Sequence, residues 1–564
     1  MRHYMNRFFR LATFPLIATM AACSNSEQTQ IQIPLLDNHV QNTEAAYIPL
    51  QCYTKTQGMN DKIHNPCFSC HTPGKIPNYL DDSEFQMLYD FRETTRKNPW
   101  INAFKDRTNV VAQISDEQMQ SYVQTSNYFD QHGNLTLAET LTKALPDEWD
   151  FNHDGQWEGY VPDIYFNFDN EGFDRNPNGA DTGWRAFAYY PFLGTFWPTN
   201  GSSNDVIIRL APEYQQDKQG QYSREIYKLN LAITEAMIRE KNIPIKETDE
   251  TLYQVDLNKN GRLDKATEIV YNWAPLEQRF MSYVGKAKEL FDSKEITMAA
   301  GLYPMGTEFV HTVRYVDVDQ NGKLTLAKRI KELRYAKKYS WNTYFQLRNA
   351  VMAEEKEAVG FPERLRTIKG NAETGVSNNQ GWVYQGFIED RKGSLRPQSY
   401  EESLTCVGCH SGVGATTDSS FAFPRKLNAD KFQHGWYHWT QKYIQKLPEP
   451  QWLDGTYEYS KYLVENHSGN EFRNNDEVQN KFFDKNDQLK QSEIERLHQD
   501  ISLLLAPSRE RAMQLNKAYK VIVDEQSFIY GRDAHVKPLE NVWDVVPEEE
   551  LTGVKEPVIR QPLR

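Results

Sequence analysis

Apolar residues recur along the chain with two different periods, and the change between them divides the sequence into three parts. Near both ends, apolar positions three and four residues apart predict amphipathic helices. Strict alternation of apolar and polar residues, which is typical of half-buried strands, is concentrated between them. The helical segments are 82–98, 115–126, 340–352, 430–447, 492–505 and 508–523, and the alternating ones are 205–210, 251–255, 309–317 and 329–335.

The turn chemistry of the middle region supports hairpins. Asn260-Gly261 and Asn321-Gly322 each follow an alternating segment, and Asn-Gly favours the tight turn that joins two antiparallel strands. We therefore predict an α+β fold with mostly helical, loop-rich regions at both ends and a β-rich middle region between them. The predicted boundaries are residues 47–146, 147–338 and 339–564.

Residues 1–22 have the pattern of an export signal and are left out of the fold prediction. A basic start, a short apolar run and the sequence Met20-Ala21-Ala22-Cys23 resemble a bacterial lipoprotein signal. In such signals, cleavage leaves the cysteine, here Cys23, as the lipid-carrying first residue. An ordinary secretory signal cleaved near the same place is the alternative. The residue after Cys23 is Ser24 and not Asp. By resemblance to lipoprotein signals, this implies that the protein is located at the outer membrane of a Gram-negative bacterium, where it faces the periplasm or is exposed at the surface.

Composition and charge narrow the class of partners. The 564 residues are 39% hydrophobic and carry a formal net charge of −13, which argues against nucleic acid as a partner. The polar segment 23–46 is predicted to be a lipidated tether between the membrane and the fold. No later run approaches the apolar length of a membrane span, so contact with the membrane is predicted to go through the lipid on Cys23.

The candidate chemistry lies in two Cys-x-x-Cys-His pentads, which use four of the six cysteines. This pattern is the attachment signature of c-type haem. Two thiols one turn apart reach the two vinyl groups on one edge of the porphyrin, and the adjacent histidine becomes the proximal iron ligand. The predicted thioether residues are Cys67, Cys70, Cys406 and Cys409, and the predicted iron ligands are His71 and His410.

Two other interpretations of each pentad stay open. A redox dithiol is expected within a βαβ pattern, which neither copy has. A zinc site needs four ligands nearby; His64 is a candidate at the first copy, and the second copy has no close fourth ligand. Cys52 has no assignment; a buried thiol, a free thiol and a residue near the first haem are all compatible with its position.

Together, the two pentads and the export signal resemble dihaem c-type cytochromes of the bacterial cell envelope. The resemblance makes both end regions c-haem regions and implies two haems, redox partner proteins and electron transfer as the function. A similarity to dihaem peroxidases, in which one haem feeds electrons to an open second haem, is the enzymatic alternative. A third interpretation is a binding module, in which the β-rich region docks a redox partner or substrate.

The sixth iron ligand decides between these functions, because a histidine or methionine fills the site whereas an open site allows chemistry. His434 and His438 lie near the second pentad but on the polar face of their predicted helix, opposite the aromatic stripe. The further candidates are His311, Met281, Met305 and Met352. No distal His–Arg or Glu constellation for peroxide cleavage is evident near either pentad, so the sequence favours an electron carrier with no catalytic residues.

Three segments, which start at Asp150, Asp256 and Asp317, begin like the calcium loop of an EF-hand, with oxygen ligands at alternate positions and a glycine for the sharp turn. None places a carboxylate at the closing twelfth position, where Val161, Thr267 and Lys328 stand instead. Turns rich in Asp and Asn between strands are the alternative to calcium sites. The candidate ligands lie in the last two loops and are Asp256, Asn258 and Asn260 in one and Asp317, Asp319 and Asn321 in the other.

Overall fold

An antiparallel sheet runs through the centre of the protein. The structure is a computed structural model that describes residues 48–58, 61–74, 81–360, 368–467, 472–473 and 475–564, all within one compact unit. In these residues the main sheet has ten strands, and β5 and β6 form a separate hairpin. The strands are β1 (Phe173–Arg175), β2 (Asp181–Ala186), β3 (Ser203–Asn204), β4 (Ile207–Arg209), β5 (Ile243–Asp249), β6 (Lys265–Ile269), β7 (Glu308–Val318), β8 (Leu324–Lys338), β9 (Gly370–Asn371), β10 (Gly375–Ser377), β11 (Trp382–Glu389) and β12 (Leu395–Pro397).

The long hairpin β7–β8 is the axis of the main sheet. The strand order is β1-β2-β4-β7-β8-β11-β10-β9, with β12 paired to β11 and β3 to β7. Alternating apolar residues form the two long strands, and the turn through Asn321 and Gly322 joins them, as the sequence predicts. Gly322 has φ +75°, a conformation that glycine adopts without steric cost.

Helices surround the sheet and are mostly short. In the described residues they are α1 (Thr108–Val111), α2 (Asp116–Gln124), α3 (Thr136–Lys143), α4 (Arg224–Arg239), α5 (Lys286–Asp292), α6 (Tyr344–Gly360), α7 (Tyr400–Cys409), α8 (Ala422–Arg425), α9 (Glu458–Asn466), α10 (Asp476–Phe482), α11 (Gln491–Leu497), α12 (Ser502–Leu505) and α13 (Arg509–Glu525). Over this part of the chain, no helix combines the length and the apolar character needed to cross a bilayer.

The two longest strands, β7 and β8, have different surroundings on their two faces. Val310 and Leu333 are buried in a cluster with aromatic residues of the segment 128–187, while α13 contacts β7 and α2 contacts β8. The alternate positions Phe309, His311 and Arg334 border a cavity. This alternation follows from the two-residue period of side chains along a strand, and it directs three side chains of very different chemistry into one space.

The predicted arrangement of mostly helical c-haem regions around a β-rich middle is wrong. The sheet continues past residue 338, because β11 pairs along β8 and brings β9, β10 and β12 with it. Residues 81–104 contain short 3-10 turns in place of the helix predicted over 82–98. Pairing between distant strands, which period alone does not reveal, accounts for the error.

Candidate functional site

The two pentads, from opposite halves of the chain, meet at one cavity. The cavity has a volume of about 520 Å³, and all four pentad cysteines and both pentad histidines line it. The loop that follows the second pentad also contacts the first pentad directly: the Ala415 N–H donates to the Cys70 carbonyl at 3.2 Å. Thus the structure brings together all six residues that the sequence predicts for haem attachment and ligation.

The first pentad is formed by a single 3-10 turn, Cys67–Ser69. The His71 N–H donates to the Cys67 carbonyl at 2.8 Å, which closes one turn between the two thiols. Nδ1 of His71 lies 3.2 Å from Oδ2 of Asp82, a carboxylate that is 8% exposed. Arg560, near the end of the chain, holds the turn by donating to the Ser69 carbonyl at 2.8 Å.

The second pentad lies at the end of helix α7, which begins with a complete capping box between Ser399 and Glu402. Two parallel 2.8 Å hydrogen bonds join the buried Glu402 carboxylate to Arg396 on β12 and fix the helix to the sheet. Helical spacing places Cys406 and Cys409 about one turn apart. The helix ends at His410, where Nδ1 lies 2.9 Å from the Ser419 carbonyl oxygen.

Each pentad histidine therefore has Nδ1 engaged by an oxygen acceptor. An Nδ1–H that donates to a carboxylate or carbonyl fixes the neutral tautomer and leaves Nε2 with a lone pair, which is the usual arrangement of a metal-bound histidine. Burial, followed by the charge of Arg334, lowers the pKa of His410 to about 4, although the Ser419 acceptor opposes this shift. His410 is consequently neutral at physiological pH.

Burial raises the pKa of the pentad thiols. It brings Cys67 to about 12 and Cys409 to about 11, and it also raises the pKa values of Cys70 and Cys406. Cys52 lines the same cavity, and burial together with the nearby Cys67 and Cys409 raises its pKa as well. These five cysteines form no disulfide, so the cavity contains a group of neutral thiols.

The walls of the cavity are largely aromatic and suit a large planar group. Two guanidinium groups, those of Arg334 and Arg532, share the carboxylate of Glu332 at 2.9 and 2.7 Å, and Arg425 and Arg473 also line the space. Basic groups of this kind are the natural partners of carboxylates. The aromatic residues are Phe85, Tyr89, Phe91, Trp100, Tyr189, Phe192, Phe196, Phe309, Tyr335, Trp382, Tyr384, Phe421, Tyr462 and Tyr519.

Of the predicted sixth ligands, His311 is the one that lines this cavity. His434 is exposed outside it, with Nδ1 2.8 Å from the Ala429 carbonyl, and His438 is buried with Nε2 2.9 Å from Asp205 Oδ2. Met305 and Met352 are exposed, and Met281 is buried in the core away from the cavity. The predicted helix over 430–447 is wrong, because the chain forms a short turn there with left-handed residues at Gln433 and His434.

The sequence missed the partners of the pentads. Asp82, Ser419, Glu332 and Arg334 are common residue types without a motif, and only the folded chain brings them to the cysteines and histidines. His311 and Arg334 are cross-strand neighbours on β7 and β8 and both face the cavity. This places a His–Arg pair beside the second pentad, where sequence spacing showed none.

The two loops with candidate calcium ligands form turns away from the cavity. Asp256 accepts hydrogen bonds from the N–H groups of Asn260 and Gly261, and Asp319 accepts from those of Asn321 and Lys323. Asp317 accepts from two glutamine side chains of α2. In the described chain no group of three or more His, Cys, Asp or Glu side chains is arranged to hold a metal ion. Calcium binding stays a prediction, as does lipidation of Cys23, which lies outside the described residues.

Comparison with known proteins places the chain in a family. A family model described as "-like lipoprotein" matches residues 36–497. A protein of Aquifex aeolicus (strain VF5) with the name "Uncharacterized lipoprotein" is 31% identical over 578 aligned residues, which cover 90% of each chain. No solved structure matches the chain. Since both the family model and the relative cover most of the sequence, the chain belongs to this family of lipoproteins.

Proposed function

We propose that this lipoprotein is a dihaem c-type cytochrome that carries electrons through two covalently bound haems in the bacterial cell envelope. The observation that carries the proposal is the convergence of both pentads on one cavity, with the loop that follows the second pentad in direct contact with the first. Cys67 and Cys70 would hold one haem and Cys406 and Cys409 the other. His71 and His410 would ligate the irons through Nε2.

The residues of the cavity fit haem in four respects. Both thiol pairs lie about one turn apart, both histidines have Nδ1 occupied, aromatic residues line the walls, and guanidinium groups that pair with carboxylates of the protein border the space. When bound, haem supplies one-electron transfer at iron, and the protein sets potential and spacing. The chain contributes by keeping His410 neutral, by orienting both pentad histidines through their Nδ1 contacts and by excluding water with its aromatic residues.

The alternatives explain the same cavity less well. A redox dithiol acts through a thiolate of lowered pKa, whereas burial raises the pKa of all four pentad thiols. A zinc site at the first pentad would need His64, which does not line the cavity. Haem uses all six pentad residues at once.

A dihaem peroxidase-like enzyme is the second candidate, because His311 and Arg334 both line the cavity; the Arg334 guanidinium, however, already donates to Glu332. Oxygen–oxygen cleavage needs an open iron and an acid–base group within hydrogen-bond reach. Spectra of the oxidised and half-reduced forms with added peroxide distinguish the peroxidase-like enzyme from the electron carrier. A high-spin haem that appears on half-reduction and is consumed by peroxide would favour the peroxidase-like enzyme over the electron carrier.

The decisive experiment is intact-mass measurement after expression with a haem-maturation system. The wild type should gain the mass of two haems. Cys67→Ala/Cys70→Ala and Cys406→Ala/Cys409→Ala should each gain one, and Cys52→Ala, the matched cysteine control in the same cavity, should gain two. A wild-type gain of one haem or none would refute the proposal.

The place of the protein in the cell is part of the proposal. We propose that acyl chains on Cys23 anchor it to the outer membrane, with redox partner proteins of the envelope as its donors and acceptors. Lipid chains anchor a protein that has no spanning segment. Cys23→Ala should give soluble or unprocessed protein. Membrane partition of a chain that starts at residue 48 would show that the fold, and not the lipid, provides the anchor.

A further inference from the structure

His311 is a polar side chain at the wall of the cavity with one ring nitrogen that lacks a hydrogen-bond partner among the described residues. It stands near the start of β7, and its Nδ1 is shielded from solvent without a hydrogen-bond partner among the described residues. Buried polar atoms are nearly always paired, so each exception in a folded protein calls for a cause. The rest of the ring is half-buried and borders the cavity that contains both pentads.

The surroundings of His311 connect it to the second pentad in particular. Its cross-strand partner is Arg334, which shares the Glu332 carboxylate with Arg532. Arg532 in turn donates to the Glu402 carbonyl in α7, the helix that carries the second pentad. The rings of His311 and His410 reach the cavity from different elements, one from the sheet and the other from the end of α7.

We propose that His311 is the sixth iron ligand of the haem attached to Cys406 and Cys409, opposite His410; this inference rests on the proposed function. Ligation through a ring nitrogen would give the imidazole a strong partner, whereas its Nδ1 has none among the described residues. A bis-histidine pair also gives a lower potential than a histidine–methionine pair.

The same geometry argues against an acid–base role for His311. A distal arginine that assists peroxide cleavage needs its guanidinium directed at the bound oxygen atoms. Here Nε of Arg334 donates to Glu332 at 2.9 Å, and its guanidinium lies over the ring of Phe196 at 5.1 Å. Both interactions hold Arg334 to the wall of the cavity, so its guanidinium is not directed to assist His311 in peroxide cleavage.

The test is the absorption spectrum and spin state of the full-length holoprotein. His311→Ala should retain two haems by mass while one of them changes from low-spin to high-spin. Added imidazole should restore the low-spin spectrum, and His311→Met should instead give a low-spin haem of higher potential. His434→Asn is the matched control, since that exposed histidine lies outside the cavity, and it should leave the spectrum unchanged.

Each failure has a distinct signature. Two haems with an unchanged spectrum in His311→Ala would overturn the inference and leave the proposed function standing. A wild-type haem that is already high-spin, and whose reaction with peroxide slows in His311→Ala, would overturn it in favour of an acid–base role. Absence of covalent haem in the wild type would refute the proposed function, and the inference with it.

Discussion

The two pentads have the same sequence pattern and are supported in opposite ways. The second ends a capped helix, which the Arg396–Glu402 pair joins to the sheet. The first is a 3-10 turn in an irregular segment, and Arg560 from the end of the chain holds it in place. A local motif therefore needs only one turn of backbone, and the surroundings of that turn are free to differ.

The difference extends to the histidines. His71 has a carboxylate, Asp82, at Nδ1, whereas His410 has the carbonyl of Ser419. A carboxylate increases the basicity of a ligating imidazole more than a neutral carbonyl does, and a more basic ligand stabilises the oxidised metal. If the proposed haems are bound, the carboxylate at Nδ1 of His71 should lower the potential of the first haem relative to the second.

The largest effect is expected for the Arg396–Glu402 pair, which joins the helix of the second pentad to the sheet. Glu402→Ala should lower the free energy of unfolding by about 3–5 kcal/mol, because it leaves the Arg396 charge buried without its partner, and it should reduce haem occupancy at the second site alone. Burial by itself raises the pKa of Glu402, but Arg396 lowers it below its usual 4.5. This contribution to stability is therefore present above about pH 4.5 and is lost as the pH falls further.

Chemical denaturation as a function of pH measures this effect. The control is Glu139→Ala, which removes an exposed pair with Lys143 and should change stability by no more than about 0.5 kcal/mol. Equal losses in both variants, or a wild-type stability that does not fall below pH 4.5, would contradict a special role for the buried pair.

The next effect concerns the contact between the two sites. A Cβ at Gly414 would lie 2.1 Å from the Thr72 carbonyl oxygen, a backbone atom directly after the first pentad. Gly414→Ala should therefore force the two loops apart and cost about 1–3 kcal/mol, and it should perturb the spectra of both haems. Gly412→Ala is the control, because its nearest neighbour is a Val351 methyl group at 3.0 Å. A perturbation confined to one haem would show that this contact does not couple the two sites.

A smaller effect tests the difference at Nδ1. Asp82→Asn keeps the shape of the side chain but removes its charge, so the potential of the first haem should rise by about 60 mV, a tenfold change in a one-electron equilibrium. The potential of the second should stay constant. Asp81→Asn is the control, since that carboxylate binds Ser83 and not His71. Redox titration measures both potentials, and an equal rise in the two would remove the proposed asymmetry.

The smallest effect sets the baseline far from either site. Asp319→Ala removes two hydrogen bonds to the N–H groups of Asn321 and Lys323 and should cost about 1 kcal/mol without change in either potential. Calcium should leave the unfolding temperature of both proteins unchanged if the loop is only a turn. A rise with calcium in the wild type that the variant lacks would establish a cation site.

Local interactions explain what could be read from the sequence. The thiol spacing of each pentad, the Asn321-Gly322 turn between β7 and β8, the α2 helix capped by Ser115 and the α13 helix capped by Ser508 depend on residues a few positions apart. The same holds for the export signal. These features could be predicted because their energies are set within a turn or two of backbone.

Only the tertiary structure decided how those pieces meet. It extended the sheet beyond residue 338, replaced the helix predicted over 430–447 by a turn, and brought His311, Asp82 and Ser419 to the pentads. Such contacts join residues that are far apart along the chain, and burial of apolar surface and strand pairing select them. The sequence by itself determined the chemical groups of the two pentads, and long-range packing determined that the two pentads share one cavity.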